Sequence, residues 1–361
     1  MSVDEDLCSL RWDAESEVAE IIDQTRLPHE LLWVSLETLQ DYCTAIQDMW
    51  VRGAPLIGVT AAYGLACDLA RDPSDTNLSE AHNTLLATRP TAVNLRWALL
   101  QIADTVRGLP VEQRAAAALQ QAHTLCHDDV DHCARIGDNG LELLNALPND
   151  GVLNIMTHCN AGWLAAVRWG TALAPIYKAV TEGRNVHVWV SETRPRNQGM
   201  NLTAWELQRA GIPCTVVADN SCGSLMASGR VDCVIVGSDR TASNGDVCNK
   251  VGTYLKALAA NAHGVPFFVA LPESTIDWSC ASGLDIPIEE RSEREVLWMT
   301  GVDEGGAMHS IRLSAEGSEA YNPAFDVTPA TLVSRLVTDY GNFEASDSGL
   351  APLREQVHGK P

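Results

Sequence analysis

The chain has 361 residues, of which 46% are hydrophobic and 20% charged, with a formal net charge of −22 at neutral pH. That length accommodates two domains with substantial cores, and the composition is that of an ordinary globular protein. The charge speaks against a nucleic-acid partner, because phosphate backbones are bound through dense Lys/Arg surfaces. No apolar run approaches the roughly 18 residues that a membrane span needs.

The first residues, Met1 to Asp6, are acidic and lack the basic-then-apolar order of a signal peptide, so a cytoplasmic protein is expected. Leu36, Leu39, Cys43, Ile46, Met49 and Trp50 recur at helical spacing and predict an amphipathic helix. Arg52-Gly53-Ala54-Pro55 breaks that pattern, and a second apolar helix follows from Leu56 to about Leu69, with the proline near its first turn. Thr88-Arg89-Pro90-Thr91 precedes a helix over residues 92–106, and alanine-rich helices are expected over 111–127 and 130–146. Pro148-Asn149-Asp150-Gly151 is a turn cluster. It divides the chain into a mainly helical N-terminal domain, 1–148, and an α/β domain, 149–345. The tail, 346–361, is loosely composed and expected to fray.

Beyond residue 151 the texture alternates. Strands are predicted at 152–156, 186–190, 214–218, 232–236 and 266–270, with helical stretches at 163–170, 200–210, 221–228 and 247–262. Such alternation implies a parallel sheet with right-handed crossovers, and short valine-rich strands suit a sheet covered on both faces. The polar segments all follow strands, which places a ligand-binding edge at the strands' carboxyl ends. Thr328 is expected to cap a last helix starting at Pro329. No Gly-x-Gly-x-x-Gly follows the strand at 152–156, no Gly-x-x-x-x-Gly-Lys-Ser/Thr occurs anywhere, and there is no His-Glu-x-x-His. No cofactor and no metal are therefore expected.

Two strand ends carry reactive side chains. The strand at 152–156 runs into Thr157-His158-Cys159-Asn160-Ala161-Gly162, and the strand at 232–236 into Gly237-Ser238-Asp239-Arg240. A thiol and a carboxyl so placed make a candidate acid/base pair. A helix starting at Trp163, with nearby cations, would favour the Cys159 thiolate, whereas His158 reads as a packed structural residue. The chain has eleven cysteines, an odd number without any Cys-x-x-Cys, which argues against zinc and against a disulfide framework. With only four lysines, an anion site must rely on arginine. Arg52, Arg89, Arg194, Arg196, Arg240 and Lys250 all fall in glycine- or proline-punctuated segments, which together point to anion binding.

Eight ordered segments carry a resemblance that runs from about Leu10 to Tyr340. They are Arg52-Gly53-Ala54-Pro55, Thr88 to Leu95, Thr157 to Gly162, Glu192-Thr193-Arg194-Pro195-Arg196-Asn197-Gln198-Gly199, Gly237 to Arg240, Asn244 to Lys250, Ile286 to Arg291 and Asn322 to Pro329. The chain resembles the methylthioribose-1-phosphate isomerases, the aldose–ketose isomerases of methionine salvage. Their wider superfamily includes ribose-1,5-bisphosphate isomerases and regulatory subunits of a eukaryotic translation initiation factor, which supply the two alternative functions. The resemblance implies a helical N-terminal domain, a Rossmann-like C-terminal domain, a small sugar phosphate as partner and a homodimer. It implies catalytic roles for Cys159 and Asp239, and substrate binding by Arg52, Gly53, Ala54, Arg89, Gln198, Asn249 and Lys250. Ser238 departs from the commoner alanine and could alter the polarity around Asp239.

Overall fold

The computed structural model describes residues 7–89, 92–148 and 151–359. Three strands, β1 (Leu10–Asp13), β2 (Val18–Ile22) and β3 (Trp33–Leu36), open the chain as an antiparallel sheet, in a domain expected to be mainly helical. The reason is visible in the pairing. Ala19 and Ile21 are buried with Leu36 while Glu20 and Ser35 face outward, a period of two in strands too short to stand out from sequence. Helices α1 (Leu39–Gln47), α2 (Ala54–Arg71), α3 (Asp75–Thr88), α4 (Val93–Val106) and α5 (Val111–Asn145) follow. Thr38 starts α1 with a reciprocal capping box to Asp41, and Ser74 Oγ accepts from Asn77 N to start α3. The two alanine-rich helices form the single α5. Residues 127–130 contain no glycine or proline, and buried Asp129 is satisfied by accepting from Val167 N at 2.6 Å. The turn cluster at 148–151 falls partly outside the described residues, as do Pro90 and Thr91.

The second half supplies β4 (Leu153–Thr157), α6 (Ala174–Thr181), β5 (Val186–Ser191), α7 (Ala204–Arg209), β6 (Cys214–Val217), α8 (Cys222–Ala227) and β7 (Cys233–Val236). It continues with β8 (Arg240–Ala242), β9 (Val247–Lys250), α9 (Thr253–Ala262), β10 (Phe267–Ala270), β11 (Ile276–Asp277) and α10 (Arg294–Leu297). The last elements are β12 (Trp298–Val302), β13 (Met308–Arg312), β14 (Phe325–Thr328), β15 (Arg335–Thr338), β16 (Gly341–Phe343) and α11 (Asp347–His358). The result is a mixed α/β protein. Its main sheet has the order β16-β15-β10-β7-β4-β5-β6, parallel except for the β15–β16 pair. Alternate residues feed the two faces. Ile155, Val188 and Ile235 pack with Ile176 and Leu207 from α6 and α7, and with Ile136 and Leu144 from α5. Met156, Val234 and Val269 pack with Met226, Ala257 and Leu353 from α8, α9 and α11.

Four expectations change. Residues 163–170 form only a 3-10 turn, Trp163–Ala165, so no regular helix begins behind Cys159. Residues 247–250 pair as β9 with β8 and β14, and the helix waits until Thr253 after Gly252 turns with φ +100°. Thr328 lies in β14 with its buried hydroxyl unpartnered; the turn beyond it is capped by Asp246, whose Oδ1 accepts from Ala330 N at 2.9 Å. The segment expected to fray is α11, which Ser346 caps and whose Leu350 and Leu353 are buried.

Candidate active site

The parallel sheet has a topological switch point between β4 and β7. The chain leaves β4 for β5 and β6 on one side, then returns to β7 and β10 on the other. Loops diverge there and leave a crevice at the carboxyl ends. Cys159 follows β4 by two residues and Asp239 follows β7 by three, so the crevice lies between them. One cavity at this point is lined by Cys159, Asp239, Arg52, Gly53, Ala54, Arg89, Gln198, Asn249 and Lys250. All nine predicted site residues meet there, drawn from both halves of the chain.

Cys159 is buried and adopts φ +62°, a left-handed conformation unusual for a residue with a side chain. Its backbone is held at both ends: its N–H donates to Thr193 Oγ1 (2.8 Å) and its carbonyl accepts from Thr203 Oγ1 (2.6 Å). Its thiol points at Gln198 Oε1, 3.4 Å away. Burial pushes the thiol pKa up, against the opposing pull of Arg52 and Lys250. The expected helix dipole is missing and does not offset that rise. Burial likewise raises the Asp239 carboxyl, opposed by Lys250, Arg89 and Arg52. Burial thus shifts both groups toward their protonated states.

The cations are fixed by local structure. Arg52 donates from both terminal nitrogens to Asn160, to its side-chain Oδ1 and to its carbonyl. Gly53 starts α2 with φ +91°, and a Cβ there would collide with Ala165 O, so glycine is required on two counts. Lys250 Nζ sits 4.9 Å from the Phe325 ring centroid, and Asn249 Nδ2 donates to Thr253 Oγ1 at 3.0 Å. Arg89 lies 3.6 Å from Glu289, with its buried Nε unpartnered. The other three arginines are engaged outside this cavity: Arg194 with the carbonyls of Pro195 and Val296, Arg196 with Glu295, and Arg240 with Asp277. Of these cations, Arg52, Arg89 and Lys250 line the cavity.

His158 is structural in its contacts. Its ring is buried, Nε2 donates to Val251 O (2.9 Å), and burial together with Lys256 holds it neutral. Ser238 Oγ pairs with Thr241 Oγ1 at 2.9 Å. Among the described residues no cluster of His, Cys, Asp or Glu could hold a metal ion. Sequence reading assigned no role to Asn160, Thr193, Thr203 or Glu206, whose contacts hold the cavity's walls. A second cavity of about 280 Å³ adjoins the first and shares Met49, Arg52 and Gln198 with it.

These features define an α/β protein with a thiol, a carboxyl and three cationic side chains lining one cavity. The Initiation factor 2 subunit family matches residues 50–345. A methylthioribose-1-phosphate isomerase of Sinorhizobium medicae is 55% identical over 340 residues, covering 92% of this chain and 93% of that one. The crystal structure of 5-methylthioribose 1-phosphate isomerase from Pyrococcus horikoshii is 37% identical, covers 97% of this chain and 96% of that one, and superposes with a TM-score of 0.84. A structure described as translation initiation factor eIF-2B, subunit delta, from A. fulgidus is also 37% identical, covers 94% of this chain and 96% of that one, and has a TM-score of 0.78. The chain belongs to the methylthioribose-1-phosphate isomerases, within the Initiation factor 2 subunit family.

Proposed function

We infer that this chain converts S-methyl-5-thio-α-D-ribose 1-phosphate to S-methyl-5-thio-D-ribulose 1-phosphate, an aldose–ketose isomerisation of methionine salvage. The observation that carries this reading is a single cavity holding Cys159, Asp239 and three cationic side chains at the switch point of the sheet. A non-catalytic regulatory subunit has no use for a buried thiol and carboxyl with raised pKa values facing one anion pocket.

In this sugar the anomeric oxygen carries phosphate, so the ring cannot open as a free hemiacetal does. Arg52, Arg89 and Lys250 hold the phosphate, while Gln198 and Asn249 hold hydroxyls. Protonated Asp239 donates its proton to the ring oxygen, and the bond from that oxygen to C1 breaks. The electron-poor C1 then receives hydride from C2, and the hydroxyl proton on C2 passes to the Asp239 carboxylate. Atoms and charge balance, and the acid is regenerated. Cys159 enters as a neutral thiol, and a bound phosphate would raise its pKa further. A protonated thiol cannot remove the C2 proton, so the hydride route is favoured. The polarizable sulfur instead lies against the transient positive charge at C1.

The adjoining cavity supports a thioether at C5. Its wall includes Met49, Leu202, Trp298 and Met299, and its one additional cation, Arg196, is paired with Glu295. Ribose 1,5-bisphosphate would need free cations there. Purified protein incubated with methylthioribose 1-phosphate, with ketose formation followed by NMR, tests the reading; turnover of the bisphosphate alone, or of neither sugar, would overturn it.

The same reading takes residues 1–148 as a mainly helical domain and 149–345 as a Rossmann-like one, working as a homodimer in the cytoplasm. Exposed Tyr254, Leu255 and Leu258 on α9 are surface that a second copy could cover. No helix among the described residues is long and apolar enough to cross a membrane.

A further inference from the structure

Glu206, on α7, is a fully buried carboxylate that takes no part in the chemistry above. Four donors converge on it. Asn160 Nδ2 (2.7 Å) and Leu164 N (3.0 Å) meet Oε1, while Trp163 N (2.9 Å) and Tyr177 OH (3.0 Å) meet Oε2. Burial pushes its pKa up to about 7 while these donors pull it down. The site is built tightly around the group, since a Cβ on Gly162 would collide with Oε2.

The link to the cavity runs through Asn160. An asparagine amide has one accepting and one donating end, and they exchange places when the amide turns over. Here Nδ2 faces Glu206 and Oδ1 faces Arg52. Arg52 has donors only, so the opposite orientation would set N–H against N–H. With donors on both of its oxygens, the Glu206 carboxyl acts as an acceptor toward Asn160, and it therefore selects the orientation that Arg52 needs. We propose that Glu206 is a positioning residue that fixes the Asn160 amide and, through it, aims the Arg52 guanidinium at the substrate phosphate. The proposal rests on the function inferred above, in which Arg52 holds that phosphate.

Glu206→Gln tests it. If the new amide nitrogen takes the Oε1 place, it opposes both Leu164 N and Asn160 Nδ2, and Asn160 relieves the second clash only by turning its own donor toward Arg52. If it takes the Oε2 place, it opposes Trp163 N and keeps Asn160 as it was, though on a weaker, neutral acceptor. With methylthioribose 1-phosphate as substrate, kcat/KM is expected to fall about 10- to 100-fold, chiefly through KM, the worth of a charge-assisted hydrogen bond. In an Arg52→Lys background the same change should cost no more than about threefold, since a residue acting through Arg52 has little left to affect. Equal losses in both backgrounds would mean general structural damage and overturn the proposal. Should Glu206→Gln fail to fold, Asn160→Ser removes the relay while leaving the other three donors on the carboxylate. It should show the same KM rise and the same non-additivity, and an unchanged KM would likewise sink the idea. Tyr177→Phe deletes a donor on Oε2, away from the Oε1 contact with Asn160, and should leave KM within about twofold. A tenfold rise there would count against a route through Asn160. Failure of the functional reading itself looks different: the wild type would be inactive on this sugar, and the proposal would fall with it.

Discussion

Thr193 Oγ1 stands 2.8 Å from the backbone nitrogen of Cys159 and helps hold that residue at φ +62°. Such a conformation costs on the order of 1–3 kcal/mol and persists only where the surroundings impose it. Thr203, bonded to the carbonyl of Cys159, closes the clamp from the other side. Thr193→Val deletes the hydroxyl at nearly constant volume and leaves a buried N–H unpaired, at a stability cost of about 1–3 kcal/mol. We expect kcat to fall about tenfold with KM little changed, as befits a misplaced thiol rather than a lost substrate contact. Steady-state kinetics and calorimetry check both parts, and an unchanged kcat would mean that the thiol's position is not critical.

Asp239→Asn keeps the shape and removes the proton donor. Turnover should drop by about 10²–10⁴-fold, the usual worth of a general acid, with the fold intact by circular dichroism. Cys159→Ser puts a harder oxygen beside C1 and should also abolish most turnover without unfolding. Near-normal rates in either variant would remove that residue from the mechanism.

The pH profile follows from the direction of the Asp239 shift. A general acid works below its pKa, so kcat/KM should decline as pH climbs past the raised value. Lys250 is foremost among the cations opposing that rise. Replacing it with methionine frees the carboxyl to titrate higher, so the alkaline limb of kcat/KM should move to higher pH even as affinity for phosphate is lost. A limb that stays in place, or moves to lower pH, would exclude Asp239 as its source.

How much of this was legible in sequence depended on the kind of signal. Strands β7 and β10 announced themselves because burial on both faces leaves unbroken apolar runs, Cys233–Val236 and Phe267–Ala270. The short strands β1 to β3 offered only four or five residues of alternation each. Cys159 and Asp239 stood at strand ends, where position itself is informative. Glu206 carried a subtler mark. Leu202, Thr203, Glu206 and Leu207 share one buried face, and an ionisable residue inside such a face calls for a partner. That the partner is Asn160, forty-six positions away, is tertiary information. The direction in which the thiol shifts was not legible for a related reason, because only the structure shows that Trp163–Ala165 is a single 3-10 turn rather than a helix with a dipole to offer.

The C-terminal helix yields a stability prediction. Leu353 is fully buried against Met226 and Leu336 in the core on that face of the sheet. Leu353→Ala should destabilise the protein by about 2–5 kcal/mol, read from urea unfolding, with kcat of the folded fraction unchanged. A loss below 0.5 kcal/mol, on the order of an exposed position, would show that α11 is not part of the core.

The isotopic course of the reaction separates the two routes for hydrogen. If Cys159 acted as a base, the abstracted C2 proton would sit on sulfur and could exchange with solvent before delivery to C1. In heavy water some product would then carry deuterium at C1. With the thiol pKa raised by burial, and Gln198 Oε1 rather than a base 3.4 Å from the sulfur, Cys159 is not poised to receive that proton. Transfer should be direct. Product formed in heavy water is expected to contain no solvent deuterium at C1, and substrate labelled with deuterium at C2 should deliver the label quantitatively to C1. NMR of the ketose reads both experiments. Substantial wash-in from solvent would restore the thiolate as base, and would require substrate binding to lower the Cys159 pKa despite the negative charge that the phosphate brings.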